Sequence, residues 1–183
     1  GGDISMLAPG GEVDAGLALA PVSYGLNKSP QDLGIVAAQT GNVNSFTYSD
    51  FLVNQSRVFA AGGGDILVWS TEGNIDAGRG SKTSLSAAAP TVNYDINGFP
   101  SITYFPPTTG SGIQVLADTP GASPGAVDLF APHGVVNANE AGIVAGNLTV
   151  AATAVLGANN ISANHEVGVP VAVTGLGTQA LSG

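Results

Sequence analysis

Short apolar runs alternate with polar positions along this chain. In Ile4-Ser5-Met6-Leu7 and Ile66-Leu67-Val68-Trp69, the first and third residues suit the buried face of a β-strand. Gly, Asn, Asp and Pro punctuate the runs and supply the positive φ angles of tight corners. No long stripe with a 3.6-residue period appears, and frequent Gly and β-branched residues disfavour helix. Ala151 to Leu156 has the propensity for a helical turn, but its repeat context predicts strand.

The pattern recurs. One segment runs Gly2-Asp3-Ile4-Ser5-Met6-Leu7, then Gly11-Glu12-Val13-Asp14-Ala15-Gly16. A second runs Gly64-Asp65-Ile66-Leu67-Val68-Trp69, then Gly73-Asn74-Ile75-Asp76-Ala77-Gly78. A third runs Gly125-Ala126-Val127-Asp128-Leu129-Phe130, then Gly134-Val135-Val136-Asn137-Ala138. The two glycines of each copy are nine apart, and the copies are 62 and 61 apart. Weaker copies begin at Gly41, 23 residues before the second, and at Gly146, 21 residues after the third. Ala158 to Ala163 reads as an echo of the second half-repeat. The unit is therefore about 21 residues, the length scale of stacked solenoid coils. Strands this short bury little alone, whereas coils stacked roughly 4.8 Å apart share one continuous core. Asn42, Asn74, Asn137, Asn147 and Asn160 are candidates for hydrogen-bonded ladders at the corners.

Two segments break the period. Residues 17–34 and 80–112 read as excursions from the solenoid wall, and the second holds a candidate hairpin. Its strands are expected at 91–96 and 101–105, with a turn at Asn97-Gly98. Residues 118–124 read as a shorter turn. The expected organisation is an all-β solenoid domain over 1–166 and a tail or cap over 167–183. Insertions in repeat proteins often cluster on one face and carry binding. Tyr24, Tyr94, Phe99, Tyr104 and Phe105 lie in the excursions, where the coil pattern does not account for them. They are the candidate contacts for a glycan or protein partner.

Composition narrows the function classes. The chain is 44% hydrophobic but only 9% charged, against about 25% in ordinary domains. Its net charge is −9, and Lys28, Arg57, Arg79 and Lys82 are its only basic residues besides two histidines. Clustered cations for phosphate backbones are lacking, so no nucleic-acid binding is expected. Attraction to anionic membranes is disfavoured for the same reason, and no apolar run reaches the ~18 residues of a membrane span. With no cysteine, disulfides and thiolate metal sites are excluded. The chain starts at Gly1 and carries no signal peptide, which suits a fragment of a longer precursor.

At this point a family is recognisable. Gly1 to Gly11, Val53-Asn54-Gln55-Ser56-Arg57-Val58-Phe59, Gly63 to Ser70 and Gly73 to Thr83 resemble the conserved C-terminal region of filamentous-haemagglutinin-like exoproteins of two-partner secretion systems. The similarity covers residues 1 to 165, and the 53–83 stretch is its most specific part. The resemblance implies a right-handed parallel β-helix on the bacterial surface or secreted from it. It implies export of the full-length precursor through an outer-membrane two-partner-secretion transporter, with roles in adhesion, aggregation or biofilm. It brings no catalytic residues and no cofactor.

The chemistry of the chain agrees with a structural or adhesive role and no enzymatic one. Asp14, Asp76 and Asn137 hold equivalent repeat positions and are expected on one face. Corner capping accounts for them better than a row of catalytic acids, the alternative being a carbohydrate-active or carbohydrate-binding β-helix. Gly62-Gly63-Gly64-Asp65-Ile66 resembles a calcium-binding nonapeptide, but the spacing and tandem recurrence differ, so no metal site is expected. His133 and His165 are read as solvated or corner residues, without the nucleophile-elbow motif of a triad. Arg57 and Arg79 are assigned structural roles. Trp69, equivalent to Leu7 and Phe130, is expected as a core or stacking residue. An open terminal coil would need further chain, a cap or a second copy. The last case gives a homopolymer assembled end to end through the solenoid ends.

Overall fold

The computed structural model describes residues 2–16, 33–37, 40–80, 91–103, 110–117 and 124–170. The strands follow in order as β1 (Ile4–Ala8), β2 (Val13–Asp14), β3 (Gly34–Ala37), β4 (Val43–Thr47), β5 (Phe51–Leu52), β6 (Arg57–Ala61) and β7 (Ile66–Ser70). Then come β8 (Ile75–Asp76), β9 (Thr91–Tyr94), β10 (Pro100–Thr103), β11 (Gly112–Leu116), β12 (Ala126–Asn137), β13 (Ile143–Leu156) and β14 (Ile161–Val167). Among the described residues there is no α-helix, only a 3-10 turn at Ala158–Asn160.

The described residues are all-β. Twelve strands form one all-parallel sheet that curls towards closure, consistent with a β-solenoid. The pairing resolves it into three walls. Wall A stacks β1, β4, β7, the first half of β12 and the middle of β13. Wall B stacks β2, β5, β8 and the ends of β12 and β13. Wall C stacks β3, β6, β11 and the starts of β13 and β14. The chain passes A, B, C in each coil and then returns to A one layer further on. Ile4 pairs with Val43, Val43 with Ile66, Ile66 with Val127 and Val127 with Leu148. The spacings read from the sequence are thus the spacings of paired strands.

The core is a set of columns running along the stack. Ile66, Val68, Val127 and Leu129 of wall A, Phe51, Ile75 and Val136 of wall B, and Val58, Ile113 and Ile143 of wall C are all fully buried. Each such side chain contributes about 1.5–3 kcal/mol when taken from water. The inward phase expected for Ile66 and Val68 is the one observed. The repeated glycines form a column of their own. A Cβ on Gly41, Gly64 or Gly125 would stand 2.0–2.3 Å from the carbonyl oxygen of Gly2, Gly41 or Gly64 in the preceding coil. Close backbone approach at this corner leaves no room for a side chain.

Both long insertions occupy the same corner. The chain leaves wall B at Asp14 and re-enters wall C at Gly34; it leaves again at Asp76 and re-enters at Gly112. In the intervening coil the same corner spans only Val53 to Ser56. The second insertion contains the antiparallel hairpin β9–β10, in which Tyr94 pairs with Pro100 and Thr91 with Thr103. Its first strand stops at Tyr94, two residues before the expected end, its second begins at Pro100, one before the expected start, and its loop runs from Asp95 to Phe99; residues 104 and 105 lie outside the described residues. Asp95 explains the widening: its Oδ1 accepts the Asn97 and Phe99 backbone N–H groups at 2.8 Å each, drawing the loop around one carboxylate. Gly98 takes a φ of 80° within it.

One expectation shifts. Ile161–Ala163, read as a second half-repeat, pairs with Ile143–Ala145 and belongs to wall C. The wall B segment of that coil is Ala154–Leu156 instead. Ala151–Leu156 lies within β13, as the repeat context predicts over local propensity. The 118–123 turn and the tail from 171 lie outside the described residues.

Candidate functional site

Polar side chains at the corners join each coil to the next. Asp3 Oδ1 accepts the Asn42 N–H at 2.8 Å, Asn42 Oδ1 accepts the Asp65 N–H at 2.8 Å, and Asp65 Oδ1 accepts the Ala126 N–H at 2.7 Å. A second ladder runs from Asp50 to the Asn74 N–H at 2.7 Å and from Asn74 to the Val135 N–H at 2.9 Å. Asn42 and Asn74 therefore act as the sequence suggests. Asn147 stands exposed in β13, outside these ladders.

The third corner, after wall B, requires a left-handed residue. Asn54, Gly78 and Asn139 fill it with φ of 57°, 86° and 48°. Asp76 Oδ1 accepts the Gly78 N–H at 2.7 Å and Asn139 Nδ2 at 3.3 Å. Asp14 accepts from the Gly16 N–H and from Asn54 Nδ2, and Asn137 Oδ1 from the Asn139 N–H. Asn160 Nδ2 donates to the Asn139 carbonyl. The register places Asp14, Leu52, Asp76, Asn137 and Leu156 in one outward row, so Leu52 separates the two carboxylates. Two coil steps put them about 10 Å apart along the stack. Each is engaged in turning the chain.

A shallow groove follows this row. One cavity of about 340 Å³ is lined by Asp50, Leu52, Asn74, Asp76, Asn137 and Leu156, among others. A second of about 210 Å³ shares Leu52 and Asp76 and reaches Asn54 and Arg79. Its polar lining coincides with the corner ladders, which ties this groove to the fold.

Wall A presents a different surface. Leu7, Phe46, Trp69 and Phe130 are in register on four successive coils. They occupy the outward phase of strands whose inward residues form the core. Phe46 is 43% exposed, Trp69 39% and Leu7 77%. The Trp69 and Phe130 rings stack at 5.6 Å between centroids with a 41° tilt. Trp69 Nε1 donates to Thr71 Oγ1 at 3.2 Å, which fixes the indole in its plane. Tyr48, 50% exposed, adds a ring where wall A turns towards wall B. Trp69 is thus a stacking residue on the outside, not part of the core. The sequence already held this signal. With Ile66 and Val68 inward, alternation sends Trp69 out, and Phe46 follows at the same register position.

Of the excursion aromatics, Tyr94 ends β9 and Phe99 lies in the hairpin loop, both exposed. Val92, Ile96 and Ile102 accompany them on the hairpin surface. Tyr24, Tyr104 and Phe105 lie outside the described residues. His133 and His165 are exposed, and Arg57 is buried in wall C with its guanidinium 5.9 Å from the Phe59 ring centre.

A family model described as filamentous haemagglutinin family outer membrane protein matches residues 63–171. That span runs from the glycine corner before β7 to just past β14. No curated protein and no solved structure matches the chain.

Proposed function

The chain belongs to the filamentous haemagglutinin family of outer-membrane proteins, and from that premise we propose that it is a structural and adhesive module of a secreted bacterial surface exoprotein. In this reading the coils wind right-handed, as nearly all parallel crossover connections do. The precursor reaches the surface through an outer-membrane transporter, and the module holds a contact surface away from the cell without catalysing a reaction. The outer face of wall A carries the proposal. It keeps large apolar and aromatic side chains in water on successive coils, while the repeated corner carboxylates are engaged in turning the chain. Beads coated with the protein should adhere to epithelial layers or extracellular matrix well above albumin-coated beads. Adhesion at the albumin level on every surface would overturn the adhesive reading.

The solenoid ends support assembly as well. Ile4, Met6 and Val13 at one end, and Ile161 and Ala163 at the other, pack on the core yet stay partly exposed. A further coil would complete each end, drawn from the same precursor or from a second copy stacked head to tail. Electron microscopy of concentrated protein should reveal rods several copies long. Monodisperse single particles would remove the homopolymer and leave only coils of the precursor.

A further inference from the structure

We propose that the outer face of wall A binds a neutral glycan chain lying along the stack axis, an assignment that rests on the adhesive reading and names its ligand class. The face has two parallel columns. One is the apolar and aromatic column of Leu7, Phe46, Trp69 and Phe130. The other, two positions earlier in each strand, holds Ser5, Asn44, Leu67, Asp128 and Thr149. Sugars present both kinds of surface: apolar C–H faces that pack on aromatic rings, and hydroxyls at the ring edge that need donors and acceptors.

The second column, polar except at Leu67, differs from the corner ladders in a way that points to a ligand. Among the described residues, the side chains of Asn44, Asp128 and Thr149 make no hydrogen bond within the fold. Each is half-buried beside the aromatic column. Hydroxyls docked on the rings would meet groups with unused capacity. The stacked rings and the fixed indole of Trp69 are already ordered, so binding costs little side-chain entropy.

Size and charge select among occupants. Three coil steps make the aromatic column about 14 Å long and four make the second column about 19 Å long, and the two columns are about 7 Å apart. The strip therefore covers at most about 130 Å², well below the about 800 Å² per partner of a stable protein interface. A second copy or a folded protein would find too little surface, whereas a single linear oligosaccharide fits. The wall A strands carry no Lys or Arg, and Asp128 lies on the face with Asp65 at its edge. Sulfated and uronic acid chains would be repelled, so the glycan is neutral.

The test uses the full chain on an array of neutral hexasaccharides of glucose, mannose, galactose and N-acetylglucosamine, alongside sulfated and uronic chains. Neutral glycans should bind with little salt dependence. A Phe46→Thr, Trp69→Thr double variant, confirmed as folded by circular dichroism, should lose tenfold or more in affinity. A Tyr94→Ala, Phe99→Ala variant should bind like the wild type. Preference for sulfated chains, equal binding by the wall A variant, or binding to no glycan would each overturn the inference. In the last case, persistent bead adhesion would leave the adhesive reading standing with a different ligand. Loss of bead adhesion as well would remove both.

Discussion

Walls A and C share the same parallel pairing, yet at their middle strands they treat their outer faces in opposite ways. Wall A alternates strictly, with Ile66, Val68 and Ser70 buried and Trp69 in water. Wall C is buried on both faces at its middle strands: all five residues of β6 and the first four of β11 are covered. Phe59 and Gln114, paired in register and phased away from the core residues Val58 and Ile113, are fully buried. Parallel strands covered on both faces read as continuous apolar runs, while a strand wet on one face alternates. Arg57-Val58-Phe59-Ala60-Ala61 and Ile66-Leu67-Val68-Trp69-Ser70 carry that difference in their composition. Within one solenoid, the wall that stays uncovered is the wall free to meet a partner.

The sharpest way to break this contrast is to cut an aromatic residue from the outer phase of each wall. Phe59→Ala should cost about 3–5 kcal/mol, as a large side chain lost from a closed site does. Urea unfolding followed by circular dichroism measures it. A loss below about 1 kcal/mol would mean that the outside of wall C is only superficially covered. A smaller effect is expected at the corner common to all coils. Gly64→Ala forces a Cβ against the Gly41 carbonyl and should destabilise by about 1–3 kcal/mol. An unchanged midpoint would show that the coils can part there without loss. The smallest effect belongs to wall A. Phe46→Thr with Trp69→Thr should cost only about 1 kcal/mol, the order of one aromatic contact. If it cost as much as Phe59→Ala, the strip would be structural and not a surface held open for binding.

The fold was legible because the repeat is written in residues that the backbone itself demands. Gly2, Gly41, Gly64 and Gly125 mark positions where successive coils nearly touch. Asp3, Asn42 and Asp65 mark amides that must be capped across a corner. Ala158–Ala163 resembles a wall B segment for a physical reason. The 3-10 turn at Ala158–Asn160 brings an Asn before an Ile at the B-to-C corner, where it resembles the Asn74-Ile75 entry to wall B. The candidate site was less legible. Aromatic residues in irregular segments drew attention because no pattern explained them. Phe46 and Trp69 were hidden by belonging to the pattern, and only their phase in the strand marks them as outward.

The corner ladders run one way. In each, a side-chain oxygen accepts from an amide of a later coil, from Asp3 through to Ala126 and from Asp50 through to Val135. A coil in the middle of the stack is thus both a receiver and a template. The second and third coils take acceptors from below and offer acceptors above, and the ladders stop at Ala126 and Val135, whose side chains carry none. Length becomes a quantity that inheritance can adjust by copying one unit in phase, with the interior already solved. The insertions at the corner between walls B and C can then diversify without disturbing the count.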